Sequence, residues 1–127
     1  MRAQTLNERL QSAGLPVRVA NLSSIWTTCY QQPSRYNWMF QYYLRAAGLS
    51  LSWVGTGRLI FSLNYTDCDF SAVCEAIVAA ARAMQDDGWW WAGPTLTNKS
   101  IRRGVLKEML QARWLSPIGS MSSPRIK

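Results

Sequence analysis

The sequence predicts an α+β domain in which a three-stranded, mostly antiparallel sheet packs against helices, and three stretches carry that prediction. Residues 46–70, AAGLSLSWVGTGRLIFSLNYTDCDF, read as helix end, strand, tight turn, strand and new helix start. Residues 67–86 place Phe70, Val73, Cys74, Ile77, Val78, Ala81 and Met84 within one arc of a helix, with Glu75, Arg82 and Asp86 opposite. Residues 17–30 alternate apolar and polar side chains, as a strand buried on one side does. The resulting order is αβαββα, followed by a C-terminal helix and a disordered tail.

The elements follow from local chemistry. Thr5 and Glu8 have capping-box spacing for a first helix that ends at Gly14, where Pro16 forbids continuation. Val17 to Tyr30 reads as one long strand with Val17, Val19, Ile25 and Cys29 on a common face. Asn21 and Ser23 fall on that same face, so a bulge or break is expected between Asn21 and Ser24. Ser34 is placed to cap a helix to Ala47, in which Tyr36, Met39, Phe40, Tyr43, Leu44 and Ala47 recur at helical spacing, and Gly48 closes it. Leu49, Leu51 and Trp53 then alternate with serines, Gly55-Thr56-Gly57 turns the chain, and Leu59, Phe61 and Leu63 alternate with Arg58, Ile60 and Ser62. Thr66 and Asp69 cap the helix from Asp67 to Asp86, which Gly88 stops. Thr97, with Leu96 and Ile101 as a staple, opens a last helix to about Arg113. Residues 115–127, rich in Ser and Pro without periodicity, read as a disordered tail. The divisions are thus residues 1–91, 92–114 and 115–127.

Composition narrows the class. With 127 residues, 48% of them hydrophobic and seven Trp, the chain can bury one core. No apolar run approaches the roughly 20 residues that span a bilayer, and MRAQTLNERL lacks the apolar stretch of a signal peptide, so no membrane partner and a cytoplasmic location are expected. Three cysteines without metal-ligand spacing fit a reducing compartment, and Cys29 and Cys74 read as small core-facing hydrophobes. The chain has no histidine to activate a thiol. No catalytic residue and no metal ligand is assigned. The net charge of +7 is uneven: residues 1–48 carry five arginines against Glu8, residues 49–88 are acidic by three charges, and residues 89–127 carry seven basic side chains against Glu108.

If helices cover one face of the sheet, the other needs a partner, and Trp26 and Tyr30, together with Trp53 in the following hairpin, are the aromatic candidates for that interface. Trp89-Trp90-Trp91 reads either as a knot anchoring the chain to the domain or as a stacking platform for lipid headgroups or single-stranded nucleic acid. Lys99, Arg103 and Lys107 recur every four residues along one edge of the last helix.

The order of these elements over residues 5–86, with VRVANLSSIWTTCY, the GLSLSWVGTGRLIFSL stretch and the Thr-capped final helix, resembles the C-terminal small domain of class III pyridoxal-phosphate aminotransferases, and most closely the glutamate-1-semialdehyde aminomutase branch. The resemblance implies the small-domain sandwich of a fold-type I enzyme, a pyridoxal phosphate cofactor in the complete enzyme, a homodimer, and a large cofactor-binding domain or subunit as partner. It implies amino-group transfer or 1,2-migration. The VGTG turn and Tyr65 before Thr66 depart from the aminomutase pattern and leave both open. Family members hold the cofactor on a lysine of the large domain. Here no lysine precedes Lys99, and Lys99, Lys107 and Lys127 lie beyond the resemblance, so the chain is expected to be a split component or C-terminal fragment that binds no cofactor and is not catalytic alone. Met1 lies almost at the first helix, which suits a fragment cut at a domain boundary. Arg58, the one cation of the hairpin, is the candidate to face a substrate carboxylate in the reassembled enzyme, against a plainer role as a solvated strand-edge arginine. The alternative from another class is a basic module that binds nucleic acid through Trp89 to Trp91 and the last helix.

Overall fold

Arg2–Ser12 forms helix α1, whose Ala3, Leu6 and Leu10 recur at three and four residues and are buried. In the computed structural model, which describes residues 2–50, 58–62 and 64–115, the chain divides into two units, Met1–Leu96 and Thr97–Lys127. The first unit continues with strand β1 (Val17–Leu22), strand β2 (Ile25–Tyr30), a 3-10 turn (Asn37–Met39), helix α2 (Phe40–Ala46), strand β3 (Arg58–Ile60) and helix α3 (Asp67–Asp86). Helix α4 (Asn98–Leu115) belongs to the second unit. The protein is α+β, and the described residues form a three-stranded antiparallel sheet of order β1-β2-β3 and four helices.

Helix α1 starts before the expected cap, so Thr5 lies inside it rather than at its N-terminus. Its N-terminal residue is tied to α3: the Arg2 guanidinium meets the Asp67 carboxylate at 2.6 Å and sits 3.9 Å from the centre of the Phe70 ring. About two turns further, Arg9 pairs with Glu75 at 2.7 Å. Helices α1, α2 and α3 end alike. Gly14, Gly48 and Gly88 take positive φ, and the next residues, Leu15, Leu49 and Trp89, each donate their N–H to a carbonyl five residues back. That closure turns each following apolar side chain back onto the core. Helix α2 is shorter than its apolar spacing suggests, because the Ser34 Oγ accepts the Tyr36 N–H at 3.2 Å and a turn and the 3-10 segment occupy the residues before Phe40.

The stretch from Val17 to Tyr30 is not one strand. Ser23 and Ser24 turn the chain, and Leu22 pairs directly with Ile25. Ser23 alone has positive φ, at 53°, the pattern of a type II′ hairpin turn. An even-numbered turn reverses parity: had the strand run straight, Val17, Val19, Ile25 and Cys29 would share a face, whereas in the hairpin Val17 and Val19 align with Trp26, Thr28 and Tyr30. Ile25 and Cys29 fall on the other face. The expected common face is corrected accordingly.

Helices α1 and α3 cover one side of this sheet. Val17, Val19, Trp26, Leu59 and Phe61 are buried beneath them, and the rings of Trp26, Phe61 and Phe70 meet with centroids 4.9 to 5.6 Å apart. Helix α3 buries all seven residues of its expected stripe, together with Ala80. Its N-terminus carries a complete capping box: the Thr66 Oγ1 accepts the Asp69 N–H at 3.2 Å, and Asp69 Oδ2 accepts the Thr66 N–H at 2.8 Å. Helix α2 packs against α3 through Phe40 and Leu44, both fully buried. The expected strand through Leu51 and Trp53, the Gly55-Thr56-Gly57 turn, Leu63 and the tail from residue 116 lie outside the described residues.

Candidate functional site

The side of the sheet that faces away from α1 and α3 is the candidate site. Pairing across the three strands sets its side chains in rows. The row next to the hairpin turn is Leu22, Ile25 and Ile60, exposed by 79%, 45% and 66%. The middle row is Ala20, Thr27 and Arg58. The third contains Arg18 opposite Cys29. The surface therefore changes along the strands from purely aliphatic to basic, and both arginines are exposed. Among the described residues neither is paired with a carboxylate.

This arrangement follows from the sequence once the hairpin is known. Leu22 and Ile25 are the last and first residues of their strands, so a two-residue turn forces them side by side, and the β2–β3 register brings Ile60 beside Ile25. Leu22, Ile25 and Ile60 together leave apolar area on solvent across three strands, the kind of surface that protein interfaces use. Among the described residues the strands place no carboxylate on this face, which can bury apolar area and grip carboxylates.

Trp26, expected at an interface, is 3% exposed and stands in the core between Phe61 and Phe70. Tyr30 shares that inner side; it is half-buried, packs on Trp90 at 6.1 Å, and burial pushes its phenol above the ordinary value. Parity across the Ser23-Ser24 turn is the reason for both corrections. Trp53 lies outside the described residues. Arg58 is on the open face as a strand residue opposite Thr27. Sequence reasoning missed Leu22, Ile60 and Arg18, and the one signal that finds them is the polar Asn21 and Ser23 interrupting the alternation.

At the opposite end of the domain the tryptophan run resolves into an anchor. Trp90 Nε1 donates to the Ala81 carbonyl at 2.8 Å, and its ring packs on Phe40 and Tyr30. Gln32 Nε2 donates to the Trp90 carbonyl at 3.0 Å, and Asn37 Nδ2 donates to the Gln32 carbonyl at 2.9 Å. Trp89 packs on Tyr36 and joins the core margin, which leaves Trp91 as the exposed indole of the three, at 54%. Two of three indoles are committed to packing.

Helix α4, taken by itself, has Thr97 at its N-terminus, where Oγ1 accepts the Ser100 N–H at 3.1 Å and Ser100 Oγ accepts the Thr97 N–H at 3.0 Å. Lys99, Arg103 and Lys107 are exposed along it. No three His, Cys, Asp or Glu side chains among the described residues are grouped to hold a metal, and no helix among them is long and apolar enough to cross a membrane. Cys74 is buried in α3, and burial pushes its thiol above the ordinary value, away from the thiolate that nucleophilic chemistry needs. Compared with models of known protein families and with curated proteins, the chain matches none.

Proposed function

We propose that the chain is the C-terminal small domain of a class III aminotransferase-like enzyme, which docks by its open sheet face against a large, cofactor-bearing domain or subunit. The observation that carries the reading is the one-sided sheet: helices bury Val17, Val19 and Trp26 on one side, while Leu22, Ile25 and Ile60 stand on solvent on the other. The α+β architecture and the Thr66-capped helix agree with the resemblance of residues 5–86 to that family. The reaction class is amino-group transfer or 1,2-migration in the complete, homodimeric enzyme. In the docked state Arg58 faces the joint between domains, where the group it grips is a carboxylate of substrate or of the large domain.

The residues present do not fit pyridoxal phosphate. The first unit contains no lysine through Leu96, and Lys99 and Lys107 are solvent-exposed on α4 of the second unit. No step of amino transfer is therefore assigned to this chain. The alternative, a nucleic-acid-binding module, rests on Trp91 and the basic edge of α4 once Trp89 and Trp90 are used in packing.

Mixing the chain with pyridoxal phosphate and an amino donor, then trapping with borohydride, tests the reading. No stoichiometric lysine adduct and no turnover are expected; an adduct at Lys99 or Lys107 with transaminase activity overturns it. The coding sequence upstream of Met1 gives a second test, since a large domain with a cofactor lysine is expected there.

A further inference from the structure

We infer that the open sheet face excludes a second copy of this chain and accepts a protein surface that is apolar at one end and carries carboxylates at the other. The inference rests on the docking reading and adds the chemistry of the partner. Its basis is the gradient along the strands, from Leu22, Ile25 and Ile60 to Arg58 and Arg18.

Charge argues against self-pairing. A twofold axis along β2 lays the aliphatic row on itself, with Leu22 facing Ile60, but leaves Arg58 one row, about 7 Å, from Arg18 of the other copy. An axis across the strands through the middle row sets Arg58 on its own equivalent and Arg18 on Leu22, where a guanidinium loses water and gains no partner. Sliding the copies until only the aliphatic rows meet shrinks the contact. A surface with acidic side chains opposite the arginines meets neither penalty. Its carboxylates gain forked hydrogen bonds from guanidinium groups that no acid engages among the described residues.

The charge-reversed variant R18E/R58E is itself a probe of the stated chemistry, because it presents the same aliphatic row beside carboxylates. Sedimentation velocity is run on the chain, on the variant and on their equimolar mixture at low and high salt, with circular dichroism to confirm that each is folded. Apolar-dye fluorescence is measured in parallel. The expected result is two monomers when separate and a 1:1 complex in the mixture, at least about tenfold tighter than either self-association, weakened by salt and lost when L22S/I60S is introduced. If the double variant does not fold, R18E and R58E separately give the same pattern with weaker pairing. Self-association of the parent chain as tight as the mixed pair, a mixed pair indifferent to salt, or no mixed pair at all overturns the inference. In those cases dye binding that disappears in L22S/I60S keeps the docking reading, and an absence of dye binding removes that reading too.

Discussion

Asn7 closes the outer edge of β1 at Val19. Its Nδ2 donates to the Val19 carbonyl at 2.9 Å, and its Oδ1 accepts the Val19 N–H at 2.7 Å. Val19 pairs with Thr28 through a position whose backbone groups point away from β2, so a helix side chain takes the place of a neighbouring strand at that point.

Replacing Asn7 with Ala removes both bonds and leaves a half-buried donor and acceptor to find water. A loss of about 2 kcal/mol is expected, measured by urea unfolding. Asn7→Asp keeps the acceptor but sets a carboxylate against the Val19 carbonyl, and should destabilise as well. Neutral results for both would mean that water replaces the side chain without cost.

Ser23→Gly is expected to stabilise. Ser23 holds φ at 53° in the hairpin turn, a region that costs an L side chain roughly 1 kcal/mol and glycine almost nothing. The gain should appear as a higher urea midpoint with an unchanged slope. Ser23→Val, β-branched at the same φ, should lower the midpoint by more than the glycine raises it.

Thr66→Ala should cost about 1 kcal/mol at neutral pH by opening the cap of α3. The pH dependence has a definite sign. Hydrogen bonds from Thr66 hold the Asp69 carboxyl below its ordinary value in the folded protein. Its contribution is therefore complete above the unfolded carboxylate value, near pH 4, and is lost as the pH falls through the lower, folded one. The stability gap between the parent and Thr66→Ala, followed by denaturation at stepped pH, should narrow on that acid side; a gap constant down to the acid limit would separate the cap from Asp69 ionisation.

Among the three consecutive tryptophans, Trp90 should carry the stability. Trp90→Phe loses the bond to the Ala81 carbonyl and is expected to cost about 1 kcal/mol, and Trp90→Ala, which empties the space against Phe40 and Tyr30, about 3 kcal/mol. Trp91→Ala, on the surface, should stay within about 0.5 kcal/mol. Equal effects at both positions would contradict the anchor.

Local chemistry made α3 readable to its ends: Thr66 and Asp69 set the start, Gly88 the stop, and the stripe from Phe70 to Met84 the buried side. The β1–β2 hairpin was not readable in the same way, because Ser23-Ser24 carries none of the Gly, Asn or Asp that marks such turns. That turn reverses the faces of the β2 residues relative to a straight strand, which puts Trp26 and Tyr30 on the inside rather than at the expected interface and brings Ile25 out. The clamp of Asn7 on Val19 and the Arg2–Asp67 pair depend on residues brought together from 12 and 65 positions apart, a distance at which spacing rules say nothing.

The ion pairs from Arg2 and Arg9 to α3 also set a timetable. Leu6 and Leu10 lie in a helix that leaves the ribosome well before α3, since the residues that α1 meets at Asp67 and Glu75 are added 65 and 66 positions later. At bacterial-to-eukaryotic synthesis rates of about 5 to 20 residues per second, that interval is about 3 to 13 s. During it the nascent chain displays α1 and the hairpin with their inner sides bare, so the growing polypeptide is most vulnerable to capture by chaperones or by neighbouring chains before translation reaches α3.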